Sequence, residues 1–303
     1  MNGWQAREWG SMQFRVESYE SVGSTNDLIK QAIEEGQPEG LTVRALRQTA
    51  GYGRQGRAWV SPLGGLYQSF LLRPDVPMAQ MPTLSLLVGL AARRAVVDLV
   101  PNLAGRAQVK WPNDLVIAPV DGKAAAYESG GSASLDASAA VSEAASSDVS
   151  LETSKAASAQ PFLKLGGISL ELHRGAVCVG VGVNVSRPEQ GAPANAKNIP
   201  VFLDELGLSG ESVEARIAAV SDALCEQLAE LYPQWCEQGF APFAAEFDSC
   251  AALTGRFVRM EDIEGNPLAS GTVERVAVDG RLVLRTTDGK EIFASSGEAH
   301  IRA

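Results

Sequence analysis

Apolar and polar residues alternate from Met12 to Ser18, the period of a half-buried strand, and the spacing then becomes helical through Leu28, Ile29, Ala32 and Ile33. Ser24, Thr25 and Asn26 stand just ahead of that helix, where short polar side chains satisfy its first N–H groups. A second strand is expected over 42–48, delivering Gln48, and a third over 66–72. Residues 81–100 are apolar nearly all round and predict a helix buried on the sheet. Val109 to Leu115 reads as a short strand running into a turn, with Pro112 stopping the ladder because it has no N–H. Two strand-like runs, 162–172 and 176–185, are joined by His173, Arg174 and Gly175 and predict a hairpin. Helical spacing returns over 211–250, with Ile217, Val220, Leu224, Leu228 and Leu231 at core positions and a break at Gly239 and Pro242. From Thr254 the pattern is short strands at 256–260, 269–278, 281–286 and 291–295 with glycine turns, which makes a small β-barrel-like unit.

One stretch has neither period. Between Ala124 and Gln160, 22 of 37 residues are Ala or Ser and Tyr127 is the sole aromatic. Such a composition buries too little apolar surface to offset ordering, so a disordered or loosely helical insertion is expected, bounded at 119–161. It divides a catalytic region, 1–250, whose remainder precedes a C-terminal domain at 251–303.

The chain has 303 residues, 45% of them apolar, enough for a large core and a small second domain. Its formal charge of −10 argues against a general nucleic-acid binder, which would present a basic surface. Cys178, Cys225, Cys236 and Cys250 form no CxxC pair, and His173 and His300 no metal cluster, so reduced thiols are expected. Neither a leader-type apolar region nor a run long enough to span a membrane is found, and a cytoplasmic protein is expected.

Against this background the stretch from Gly51 to Trp59 stands out, three glycines threaded with Arg54, Arg57 and Trp59. Gly51, Gly53 and Gly56 permit a loop whose N–H groups turn toward an oxyanion, and the arginines add fork-shaped donors for phosphate or carboxylate. A solvated turn or a basic patch would give the same letters. Lys110, Trp111, Asn113 and Asp114 place an ammonium, an aromatic, an amide and a carboxylate within five residues, a set able to serve phosphate, base and metal. Lys164 precedes Gly166 and Gly167, whose missing side chains leave room for a ring system beside its ammonium group; an exposed edge lysine is the plain alternative.

Taken together these residues resemble the biotin protein ligase family. The 51–59 stretch is similar to its biotin and adenylate loop, 110–114 to its Lys-Trp-Pro-Asn-Asp motif, and 164–168 to its lysine-containing strand; Ser24, Thr25, Asn26, Gln48 and Asn184 follow in the family's order. The resemblance implies an α+β fold of the class II synthetase-like kind: a mixed sheet flanked by helices, with a C-terminal SH3-like β-barrel. It implies that biotin is activated with Mg-ATP as biotinyl-5′-AMP and passed to a lysine of a biotin carboxyl carrier domain. Lys164, Arg54 and Lys110 would be catalytic. Ser24, Thr25, Asn26, Gln48, Tyr52, Gly53 and Gly166 would join Arg54 and Lys164 around biotin. Arg57, Trp59, Trp111, Asn113, Asn184 and Arg302 would join Lys110 around the nucleotide, and Asn113 or Asp114 would orient Mg2+. Three features depart from the family: Tyr52 stands where an arginine is common, the Ala/Ser insertion separates two motifs, and the first expected strand begins near residue 12, which leaves no place for the DNA-binding segment of the repressor-type members. A lipoate ligase of the same fold and a non-catalytic biotin-sensing module are the rival readings. The oligomeric state stays open, a homodimer included.

Overall fold

A computed structural model of the chain describes residues 3–9, 12–119, 162–189, 191 and 199–301. The 124–160 insertion and Arg302 lie outside the described residues. The chain builds one large mixed sheet and one smaller antiparallel sheet, with helices against the first.

The large sheet comprises β1 (Gly3–Trp9), β2 (Met12–Tyr19), β3 (Leu41–Ala45), β4 (Gly65–Leu72), β5 (Ala107–Lys110), β6 (Asp114–Ile117), β7 (Leu163–His173), β8 (Ala176–Asn184) and the short β9 (Ile199–Pro200). Its order is β1-β2-β3-β4-β8-β7-β6-β5, with β9 beside β7. β2–β3 and β7–β9 are parallel and every other pairing is antiparallel. The alternation at 12–18 and the 162–185 hairpin thus appear where expected. β1 precedes the strand expected first, and β5 and β6 form a hairpin where one strand and a turn were expected, because residues 111–113 reverse the chain.

Central strand β4 is buried along its whole length, which requires cover on both faces. Leu66, Phe70 and Leu72, with Val177, Val179 and Val181 of β8, join the main core on one face. That face receives α2 (Leu84–Leu99), which packs on α3 (Val213–Gln238). Leu71, Ala176 and Cys178 are in the opposite phase of the same strands. They meet Ile29, Ala32 and Ile33 of α1 (Thr25–Glu34) in a second cluster.

After a short helix α4 (Ala244–Ser249), strands β10 (Phe257–Glu261), β11 (Pro267–Val276), β12 (Leu282–Arg285), β13 (Glu291–Ala294) and β14 (Glu298–Ile301) form the second sheet. Its ladder runs β13-β12-β11-β10-β14 as an open series, so the barrel-like unit is observed as a five-stranded sheet. It is stitched to the large sheet: the Trp111 indole N–H donates to the Gly280 carbonyl at 2.9 Å in the β11–β12 turn, and Arg57 pairs with Glu298.

β6 and β7 are antiparallel neighbours with Ile117 opposite Leu163. The intervening chain therefore leaves and re-enters at adjacent points. Replacing 124–160 with a short Gly/Ser linker is expected to keep the circular dichroism spectrum and melting temperature near those of the intact protein, since closing a shorter loop costs less entropy; a large loss of stability would show that the insertion contributes to the fold.

Candidate active site

The cleft forms at one end of the sheet, where β7, β8, the 51–59 loop, the first turn of α1 and the β5–β6 hairpin meet. Its volume is about 590 Å³. This is in the range of sites that enclose a ligand of drug or nucleotide size.

The glycine-arginine stretch is a small hairpin. Tyr52 pairs with Ala58, the Gly53 N–H donates to the Arg57 carbonyl at 2.8 Å and the Trp59 N–H to the Gly51 carbonyl at 2.8 Å. The expected use of its glycines is corrected here, because only Gly56 has a positive φ, at 70°, accompanied by Gln55 at 60°. Gly51 serves close approach: a Cβ there would lie 2.5 Å from the Ser61 hydroxyl and 2.7 Å from the Gln48 amide. Since the Gly53 and Trp59 amides close the hairpin, the loop offers an anion its arginine side chains more than its backbone.

Arg54 reaches inward and donates to the side-chain Oδ1 of Asn113 at 2.9 Å. Asn113 is itself held by two bonds to β7: its side-chain amide donates to the Ile168 carbonyl and its own carbonyl accepts from the Ile168 N–H, both at 2.9 Å. Burial lowers the Arg54 pKa, Asp114 opposing that shift. Lys164 donates to Asp114 at 2.7 Å and lies 5.4 Å from the centre of the Trp59 ring. Two cations thus converge on one carboxylate.

The phase of β7 explains which glycine accompanies them. Val116 is opposite Lys164 while Leu115 is opposite Gly166, so Leu165 is an extra residue that shifts the alternation. Lys164 and Gly167 therefore line the cleft, and Gly166, expected there, does not. A Cβ on Gly166 would meet the Gly182 carbonyl at 2.6 Å, so its bareness lets β8 approach. Gly167 and Gly182 instead form a bare floor under Trp59; a Cβ on Gly182 would lie 3.0 Å from the indole. Gly182→Val is expected to displace the ring and weaken ligand binding in the cleft about tenfold, whereas Gly167→Ala, whose Cβ would sit at an ordinary 3.5 Å, is expected to be mild; ligand titrations distinguish them.

At the far wall a buried polar network replaces charge. Gln48 accepts from the Thr25 N–H at 2.8 Å and from its hydroxyl at 3.1 Å, and donates to Ser61 at 3.0 Å. Gln48 thereby satisfies one of the open N–H groups at the start of α1. Asn26 donates to Ser169 and accepts from Ser69, and Gly180 has no side chain because a Cβ would lie 2.4 Å from the Asn26 carbonyl oxygen. Ser24 is a correction: as the residue capping α1 it is buried outside the lining, and Thr25 and Asn26 take the cleft positions.

Tyr52, Gly53, Arg57, Trp59, Lys110, Trp111 and Asn184 also line the cleft. Trp111 is 4% exposed and its indole is engaged by Gly280, so it joins the two sheets beside the site rather than offering an open ring face. Asn184 donates to the Lys164 carbonyl at 3.1 Å and so braces that strand. Sequence reasoning missed Ser69, Ser169, Gly180 and Gly182; small residues within apolar strands carry no signal until neighbours are known. Glu298 and His300 of the closing segment, of which only Arg302 was expected at the nucleotide, line the cleft from β14.

For a metal the donor set is thin. Among the described residues no group of three or more His, Cys, Asp or Glu could hold an ion. Asp114 is already paired with Lys164, and the Asn113 oxygen with Arg54. A protein-built magnesium cage does not fit here.

Fold and cleft define an α+β domain that gathers cations, a polar-walled pocket and a bare glycine floor at one end of a mixed sheet, with an appended β-sheet closing one side. Residues 18–131 match the biotin/lipoate A/B protein ligase family. The chain is 27% identical over 285 residues to the bifunctional ligase/repressor BirA of Bacillus spizizenii, covering 91% of this chain and 71% of that one. It is 27% identical over 297 residues to the biotin–[acetyl-CoA-carboxylase] ligase of Mycobacterium tuberculosis, covering 97% and 91%. The biotin protein ligase from Aquifex aeolicus in complex with biotin and ATP superposes with a TM-score of 0.65 at 23% identity, covering 95% of this chain and 98% of that one. Residues 18–131 thus carry the family match, and the similarity to biotin ligases extends over nearly the whole chain.

Proposed function

We propose that this protein is an ATP-dependent biotin ligase that makes biotinyl-5′-AMP and transfers biotin to a lysine of a biotin carboxyl carrier domain. The observation that carries the reading is the convergence of Lys164 and Arg54, from a strand and a loop, on one cleft beside the polar network that runs from Gln48 through Thr25 and Ser69 to Asn26. A small acid with a polar head and an anionic tail fits such a gradient from hydrogen-bonding wall to cations. The names of two relatives, both biotin–[acetyl-CoA-carboxylase] ligases, favour biotin as the acid.

In the first step a biotin carboxylate oxygen attacks the α-phosphorus of ATP, and the bond to the bridging oxygen breaks to release pyrophosphate. Lys164 leaves Asp114 in part to meet the carboxylate and the developing acyl-phosphate oxygens, and Arg54, fixed by Asn113, meets the phosphate. Both act by orientation and charge compensation, so no covalent enzyme intermediate is needed. Lys110 assists at the ATP phosphates, Arg57 at the adenylate, and Trp59 offers an aromatic face. In the second step the carrier lysine, as free amine, attacks the acyl carbon; AMP departs with the C–O electrons and the amine loses a proton. Magnesium accompanying ATP would supply charge neutralisation at the phosphates, with Asp114 and Asn113 as the nearest side-chain oxygens, both engaged by Lys164 and Arg54.

We further read residues 1–250 as the catalytic domain and 251–303 as a C-terminal domain closing on it. The four free cysteines fit a reducing, cytoplasmic setting. The test is transfer to a purified carrier domain from biotin or lipoate with ATP: biotin transfer is expected, lipoate transfer would reassign the acid, and binding without pyrophosphate release would make the chain a non-catalytic module.

A further inference from the structure

Tyr52 stands on the near arm of the 51–59 hairpin, and the structure gives it two charged partners on α1. Its phenolic O–H donates to Asp27 at 2.8 Å and accepts from the Lys30 ammonium at 2.6 Å. Lys30 lies 5.1 Å from the centre of the Tyr52 ring and also pairs with Asp27 at 3.0 Å and with Glu171 of β7 at 3.3 Å. Glu171 in turn accepts from Asn26 at 3.2 Å. The network therefore runs from the near arm of the hairpin, through the second turn of α1, to β7 and back to a cleft-lining amide. The phenol keeps its proton across the working range: burial, with Asp27 and Glu171, pushes it up to about 12 against the lowering by Lys30. Burial works to lower Lys30, but its bonds to Tyr52 and Asp27 and the nearby Glu171 raise it overall, so the ammonium stays charged.

We propose that Tyr52 and Lys30 form a latch that positions the near arm of the biotin loop against α1, so that the hairpin stays closed over the adenylated intermediate. Neither residue need touch the reacting atoms. Lys30 is not among the cleft-lining residues, and the inference makes it and Tyr52 positioning residues that act through the hairpin. An arginine at position 52 would place a second cation next to Lys30, so the tyrosine and the lysine fit each other as a pair. Tyr52→Phe keeps the ring over Lys30 and removes both hydrogen bonds.

This rests on the proposed adenylating function, but half of its test does not. Amide hydrogen exchange of Gly53 and Trp59, whose N–H groups close the hairpin, is measured in the ligand-free protein for wild type, Tyr52→Phe, Lys30→Met, the double variant and Lys30→Arg. Exchange about tenfold faster is expected in both single variants, with the double variant no faster than either and Lys30→Arg near wild type. Release of preformed biotinyl-5′-AMP is then followed in the same set and is expected to accelerate about tenfold in step. Unchanged exchange in Tyr52→Phe, or strictly multiplicative effects in the double variant, would overturn the latch. Faster exchange with unchanged release would overturn its role in retention. A wild-type protein that makes no adenylate would instead sink the functional reading, while the exchange data would still decide the latch.

Discussion

Replacing Lys164 with alanine is expected to cut pyrophosphate release from biotin and ATP by at least about a hundredfold while the melting temperature shifts by only a few degrees. Two effects add. The ammonium that would meet the carboxylate is lost, and a charge-assisted hydrogen bond of this kind contributes roughly 1.5–3 kcal/mol. Asp114, which Lys164 holds at 2.7 Å, is then left with Arg54 as its nearby opposing charge, in a cleft that must admit two anions. The second effect is separable. Asp114→Ala in the Lys164→Ala background is expected to recover nucleotide affinity in part, by removing the repulsion, without recovering turnover. Isothermal titration of ATP and a burst measurement of pyrophosphate decide it. Wild-type pyrophosphate release by Lys164→Ala would remove Lys164 from the reaction, and no recovery of affinity in the double variant would mean that Asp114 is shielded by other groups, Arg54 first among them.

What could be read from the sequence follows from the range of each signal. Period-2 and period-3.6 patterns are local, so β2, α1, β4, α2 and the 163–184 hairpin were legible. β1 was not, because it contributes an edge strand that no local turn or apolar run announces. The candidate site divides the same way. Arg54, Lys164 and Asp114 were visible as charged residues in unusual company, but their convergence is a product of the sheet order, which brings Asp114 opposite Gly167. Gly166 was assigned to the cleft in place of Gly167 because a single extra residue at Leu165 inverts the phase, and a bulge has no reliable signature in one strand alone. Ser24 illustrates a different limit: the motif of three polar residues marks the helix start, yet the first of the three occupies the N-cap position without a side-chain bond to the helix, and only the next two reach the cleft. Trp111 looked like a base-stacking residue from its neighbours in the motif, and its bond to Gly280, far along the chain, could be seen only once the second sheet was in place.

Arg54→Gly is expected to release biotinyl-5′-AMP at least about tenfold faster than the parent protein and to biotinylate exposed lysines on bystander proteins as a result. The side chain is anchored in a way that makes this specific. Its guanidinium donates to Asn113, which is bound at both its amide and its carbonyl to Ile168, so the loop tip is tied to the middle of β7 by one arginine. Burial already disfavours its charge, with Arg57 adding to that cost and Asp114 and Glu298 opposing it. An adenylate phosphate supplies a second anion at the same place, so the arginine gains more from the ligand-bound, closed loop than from the open one, and a group with that difference shifts the population toward closure. Glycine removes both the tie and the charge while leaving the backbone unstrained, since the neighbouring residues already supply the positive φ values. Asn113→Ala removes the tie alone and keeps the cation. It is expected to leak less than Arg54→Gly, and the ratio of the two release rates divides the effect between anchoring and charge. Equal release from Arg54→Gly and wild type would show that the hairpin is held shut from its arms, by Tyr52 with Lys30 on one and by Arg57 with Glu298 on the other.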